Sequence, residues 1–81
     1  MTKRDKLIER IRRRPPSAAF NDVRNLLEDF GWTHARTTGS HATFTKPGEY
    51  PIVVTIHDKR VKRGYLDDIC ARLGLDADDR E

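Results

Sequence analysis

The sequence predicts an α+β domain in the order α-α-β-β-β-α, with a three-stranded antiparallel sheet packed on one face by two helices and an extra helix at the N-terminus. Three observations predict it. Apolar residues recur at helical spacing in two separate segments, Val23, Leu26, Leu27 and Phe30, then Leu66, Ile69, Cys70 and Leu73. Between them, Ile52 to His57 alternates with the period of two that belongs to a strand with one covered face. Turn residues at Gly39-Ser40 and at Lys46-Pro47-Gly48-Glu49 divide the intervening chain into short extended pieces. At 81 residues there is room for one core and not for two.

The first segment, Arg4 to Arg14, sets Leu7, Ile8 and Ile11 on one side of an amphipathic helix that Pro15-Pro16 must end. Residues 1–16 are therefore expected as an N-terminal helical extension to a domain over 17–75. Arg12-Arg13-Arg14 suits the negative end of that helix's dipole, and a nucleic-acid contact is the competing reading. In the second helix Asn21 is a candidate cap and Gly31 the stop. Trp32 to Thr38 and the stretch around Thr43-Phe44-Thr45 then read as two antiparallel strands joined near Gly39. Proline followed by glycine at 47 and 48 makes the next turn, and Ile52 to His57 is the third strand. Asp67 and Asp68 suit the early turns of the last helix, and Gly74 closes it. The nearly apolar-free residues 76–81 are expected as a disordered acidic tail.

Several function classes are excluded by composition. No apolar run approaches the roughly 20 residues that span a bilayer, and the N-terminus lacks the apolar stretch of a secretory signal, so a cytoplasmic protein is expected. The single cysteine, Cys70, falls at a core spacing and is read as a small buried hydrophobe. Net charge is +3, but the last six residues hold four carboxylates against one arginine, a net −3, which leaves +6 on residues 1–75. Such a body suits a polyanion, although surface lysine and arginine also serve solubility alone.

Three histidines, His34, His41 and His57, are the residues able to move protons near neutrality. Phe44 and Ala42 must face the helices, which turns His41 and Thr43 to the open face. The same parity puts Thr55 and His57 there. Arg36, Lys46, Lys59, Arg60, Lys62 and Arg63 can surround this face with positive charge for a phosphodiester backbone. RNA brings its own nucleophile: removing the 2′-hydroxyl proton lets that oxygen attack the adjacent phosphorus. The alternative is that a strand histidine is an ordinary surface residue. No metal-ligand spacing, glycine-rich phosphate loop or supported serine nucleophile accompanies these residues, so no metal and no cofactor are called for.

Leu26-Leu27, Gly31-Trp32, Arg36, Gly39-Ser40-His41, Phe44, the valine-rich strand ending in His57, Gly64, Leu66, Ile69 and Gly74-Leu75 together resemble the HicA toxin family of bacterial toxin–antitoxin systems. The likeness spans about residues 20 to 75, and its most specific part is the Gly-Ser-His-x-x-Phe block one short strand after Gly-Trp. It implies a fold like that of double-stranded-RNA-binding domains and cleavage of messenger RNA, a single-stranded substrate, by the histidine of that block, here His41. It also implies a HicB-type antitoxin that binds the toxin and covers the active site. Two features depart from the family. Ala42 stands where another histidine often follows the motif histidine, which leaves His57 or water for the second proton transfer. The N-terminal helix extends the usual length, either to reach antitoxin or RNA or to pack on the domain.

The candidate site is thus His41 for catalysis, with Arg36, Ser40, Lys46, His57, Lys59, Lys62 and Arg63 as RNA contacts. Arg36 is equally readable as a strand-surface charge, Lys62 and Arg63 as solvated loop cations, and Trp32 as packing rather than a stacking platform. The competing functions are a non-catalytic module binding double-stranded RNA by shape, and a protein whose basic face meets an acidic partner.

Overall fold

Helical spacing and strand alternation each produce the element they predict. The computed structural model describes residues 3–75, so the acidic tail expected over 76–81 lies outside the described residues. In chain order the elements are α1 (Lys3–Arg12), β1 (Ser17–Ala19), α2 (Phe20–Asp29), β2 (Thr33–Thr38), β3 (His41–Thr45), β4 (Ile52–His57), β5 (Arg60–Lys62) and α3 (Arg63–Leu73).

The sheet has five strands and not three. Its order is β1-β5-β4-β3-β2, and every neighbouring pair is antiparallel. The three expected strands are β2, β3 and β4. β1 and β5 add three residues each, and each buries one side chain, Ala18 and Val61, which lie opposite one another in the register. Pro15 and Pro16 end α1 and favour the extended backbone that follows, and the Pro16 carbonyl then accepts the Arg63 amide at 3.1 Å.

The start of α2 also differs from expectation. The helix begins at Phe20, its N-cap is Ala19 without a side-chain cap, and Asn21 lies within the first turn. The Phe20 amide donates instead to the Lys59 carbonyl at 2.9 Å, so the β4–β5 hairpin meets a need that a cap side chain would otherwise meet. At the other end Gly31 takes φ +92°, and the Lys46 ammonium donates to the Phe30 carbonyl at 3.0 Å. α3 ends as its glycine predicts: Gly74 is left-handed, its amide bonds to Ala71, and the Leu75 amide reaches back to the Cys70 carbonyl, a Schellman closure.

The core fills the space between the sheet and the helices. Val23, Leu26 and Leu27 of α2 and Leu66, Ile69 and Cys70 of α3 meet Ala42 and Phe44 of β3, Ile52 and Val54 of β4, and Val61 of β5. α1 packs on α2 and α3, with Ile11 fully buried and Leu7 and Ile8 against the same cluster. Arg10 pairs with Asp22 at 2.8 Å and Arg14 with Asp67 at 2.5 Å, one tie to each helix. Trp32 is buried with the Arg72 guanidinium over its ring, so it serves packing. Cys70 is fully buried with its thiol directed at the Ile11 carbonyl.

Candidate active site on the open sheet face

Parity along the strands, together with one bulge, decides which side chains reach the helix-free face. His41 pairs with Thr38 of β2 and Thr55 of β4, and Thr43 pairs with Arg36 and Val53. Directly paired residues share a face, so Arg36, Thr38, His41, Thr43, Thr55 and, two residues along β4, His57 lie together. The register of β2 slips between His34 and Arg36, which pair with the consecutive residues Phe44 and Thr43. Without the extra residue, Ala35, His34 and Arg36 would share a face. With it, Arg36 turns toward His41, while His34 goes to the helix side and stacks on Phe44 with ring centroids 5.0 Å apart. A hydrogen bond of 2.7 Å between His34 Nε2 and Thr37 Oγ1 fixes it there. His34 is thereby separated from the other two histidines.

A two-residue hairpin holds His41. Gly39 has φ +59° and Ser40 an ordinary φ, the pattern of a type II′ turn with glycine first. The Ser40 carbonyl accepts the Ile56 amide at 2.6 Å, which ties the hairpin to β4 just before His57. The imidazole of His41 is exposed and makes no side-chain hydrogen bond or ion pair with another described residue. His57 is diagonal to it, a placement that sets Cα atoms roughly 7–8 Å apart. Its Nε2 is 3.6 Å from the Asp58 carboxylate, and both side chains are exposed.

The structure brings some of the predicted cations to this face and commits others elsewhere. Arg36 and Lys62 are exposed on it, and Arg60, opposite His57, is anchored to the Ser17 hydroxyl at 2.6 Å and to the Ser17 carbonyl at 3.0 Å. Lys59 sits in the β4–β5 turn and Arg63 opens α3, exposed at opposite ends of β5. Lys46 lies outside this group, because its ammonium closes the end of α2 and its stem lies over Gly31. From Thr33 to Lys62 there are five lysines and arginines against Glu49 and Asp58, whereas α2 holds Asp22, Glu28 and Asp29 against Arg24 alone. The sheet with its hairpins is therefore net positive, as is the α1 segment, while α2 is acidic. A groove between α1 and α2, lined by Lys6, Leu7, Arg10, Asp22 and Glu28, mixes both signs and contains no histidine.

Sequence reasoning missed two contributors, Tyr65 and Ser17. The Tyr65 hydroxyl donates at 2.8 Å to Oγ1 of Thr55, the residue paired with His41 on β4. Arg60 owes its orientation to Ser17 on a strand that no periodicity signals. The sequence reading also took Ala42 for the loss of a proton carrier beside His41. Its side chain is fully buried opposite Val54, so position 42 faces the core and a histidine there would not reach the open face.

The domain so defined has a helix-backed sheet whose other face carries threonines, cations and an accessible histidine beside the half-exposed Val53. The family model for the HicA toxin of bacterial toxin–antitoxin systems matches residues 20–75, from the first residue of α2 to the residue after Gly74. The chain belongs to the HicA toxin family. Membership gives it the toxin role of a toxin–antitoxin pair and implies an antitoxin as its partner. α1 and β1 lie outside the matched span. None of the curated proteins compared with the chain matches it, and neither does any of the solved structures. Among the described residues no helix is long and apolar enough to cross a membrane.

Proposed function

We propose that this toxin is an endoribonuclease that cleaves messenger RNA in the cytoplasm, with His41 as its catalytic residue and a HicB-type antitoxin as its inhibitor. The observation that carries the reading is the placement of His41: exposed on the helix-free face at the start of β3, and flanked by Thr38 and Thr55 instead of bulky side chains. In this reading α2, β2, β3, β4 and α3 form the core that resembles a double-stranded-RNA-binding domain, extended by β1 and β5.

The backbone of the RNA lies across the sheet, with Arg36, Lys59, Lys62 and Arg63 meeting phosphates and Ser40 at the rim. Neutral His41 takes the proton from a ribose 2′-hydroxyl. The freed oxygen attacks the adjacent phosphorus, the bond from phosphorus to the 5′-oxygen breaks, and that oxygen takes a proton from His57 or from water. The products are a 2′,3′-cyclic phosphate and a 5′-hydroxyl. This route requires no metal ion. The antitoxin, by covering the open face, keeps RNA from His41.

The test is incubation of the purified chain with end-labelled RNA. Wild type is expected to yield cyclic-phosphate ends, and His41→Ala to cleave about a hundred- to ten-thousand-fold more slowly while still binding RNA. Binding without cleavage by the wild type would replace this reading with a non-catalytic double-stranded-RNA-binding module.

A further inference from the structure

We propose that Tyr65 is a positioning residue for this site, acting through the Thr55 hydroxyl; the proposal rests on the nuclease reading above. Thr55 faces His41 across the β3–β4 pair, at a separation where Cβ atoms are about 4.5–5.5 Å apart. β5 pairs with β4 only at Ile56 and His57, and the chain enters α3 straight after Lys62. That early departure leaves the flank of β4 beside Thr55 without a strand and brings the third residue of α3, Tyr65, to it. The Tyr65 hydroxyl donates to Thr55 Oγ1 at 2.8 Å, and both side chains are partly buried.

A threonine hydroxyl has one proton to donate and one oxygen to accept with. Left alone at a surface, it rotates among staggered positions. With its oxygen accepting from Tyr65, the Thr55 proton is directed away from the helix and toward the open face beside His41. Accepting a hydrogen bond also polarises the hydroxyl and makes it a better donor. A phosphate engaged by His41 comes within reach of that donor. The negative charge that grows on its non-bridging oxygen as the 2′-oxygen attacks is what an oriented donor stabilises most. Tyr65 itself touches no substrate. Its role is to hold the direction of a hydroxyl that does.

The experiment compares wild type with Tyr65→Phe, Thr55→Val, Thr55→Ser, the Tyr65→Phe/Thr55→Val double variant and His41→Ala, measuring kcat and KM on one RNA and checking each fold by thermal unfolding. Losing one oriented hydrogen bond predicts a roughly three- to tenfold lower kcat for Tyr65→Phe with KM unchanged. Thr55→Val falls at least as far, Thr55→Ser keeps the wild-type rate, and the double variant is no slower than Thr55→Val, because the two groups act as one unit. A folded Tyr65→Phe that keeps the wild-type kcat, or a double variant whose losses multiply, overturns the proposal while His41→Ala still upholds the nuclease reading. Wild type that leaves RNA intact overturns both.

Discussion

Asp58, Lys59 and Tyr65 occupy backbone or side-chain states that their types do not advertise. Asp58 and Lys59 join β4 to β5 with φ of +52° and +63°, so both central residues of a two-residue hairpin are left-handed and neither is glycine. This geometry costs an L-residue about 1–2 kcal/mol, against which glycine's extra freedom in the unfolded chain costs roughly 0.5–1 kcal/mol. Lys59→Gly is therefore expected to stabilise the fold by about 0.5 kcal/mol, measured as a higher urea midpoint at constant m. The same pair explains why β5 was illegible: a type I′ turn is normally recognised by Asn-Gly or Asp-Gly, and Asp-Lys carries no such signal. His41 was legible because parity from buried Phe44 places it without further information. Tyr65 was not, since nothing in its spacing distinguishes a tyrosine that packs from one that aims a hydroxyl at Thr55.

At the scale of elements, the sequence revealed those long enough to show a period. β4 has its predicted bounds, and α2 and α3 follow their apolar spacing. β1 and β5 are too short for alternation to register, because in each a single inward residue, Ala18 or Val61, is all the core sees. The bulge at Ala35 lies equally beyond a period-two reading, yet it decides that Arg36 and not His34 stands near His41. α1 is amphipathic by sequence, but whether it is an appendage or part of the packing depends on what it meets. Ile11 is fully buried in the common cluster, Arg10 ties the helix to α2, and Arg14, two residues past its end, ties the segment to α3. Ile11→Ala is accordingly expected to cost about 2–5 kcal/mol, the range for a large buried aliphatic truncated to alanine. A loss near zero in equilibrium unfolding would show that α1 is dispensable to the fold.

Charge is spread unevenly over the whole molecule: α2 is acidic, whereas α1 and the sheet with its hairpins are both basic, and residues 1–75 carry +6. This partition was legible in the sequence only in part, because α1 alone holds as many cations as the sheet's rim and spends Arg10 on an internal pair. RNA affinity should fall as salt rises, and Arg36→Ala or Lys62→Ala should each lower the slope of log K against log salt by about 0.7–1 if each meets a phosphate. Lys46→Ala should leave that slope unchanged, since its ammonium is engaged at the end of α2.

The most direct test of the central claim is induced expression of wild type and of His41→Ala at matched levels, following growth and the integrity of cellular RNA, with circular dichroism on both purified proteins. The account predicts that wild type arrests growth and degrades RNA while the equally folded variant does neither. Equal arrest and equal RNA loss with His41→Ala, or intact RNA with the wild type, would contradict it.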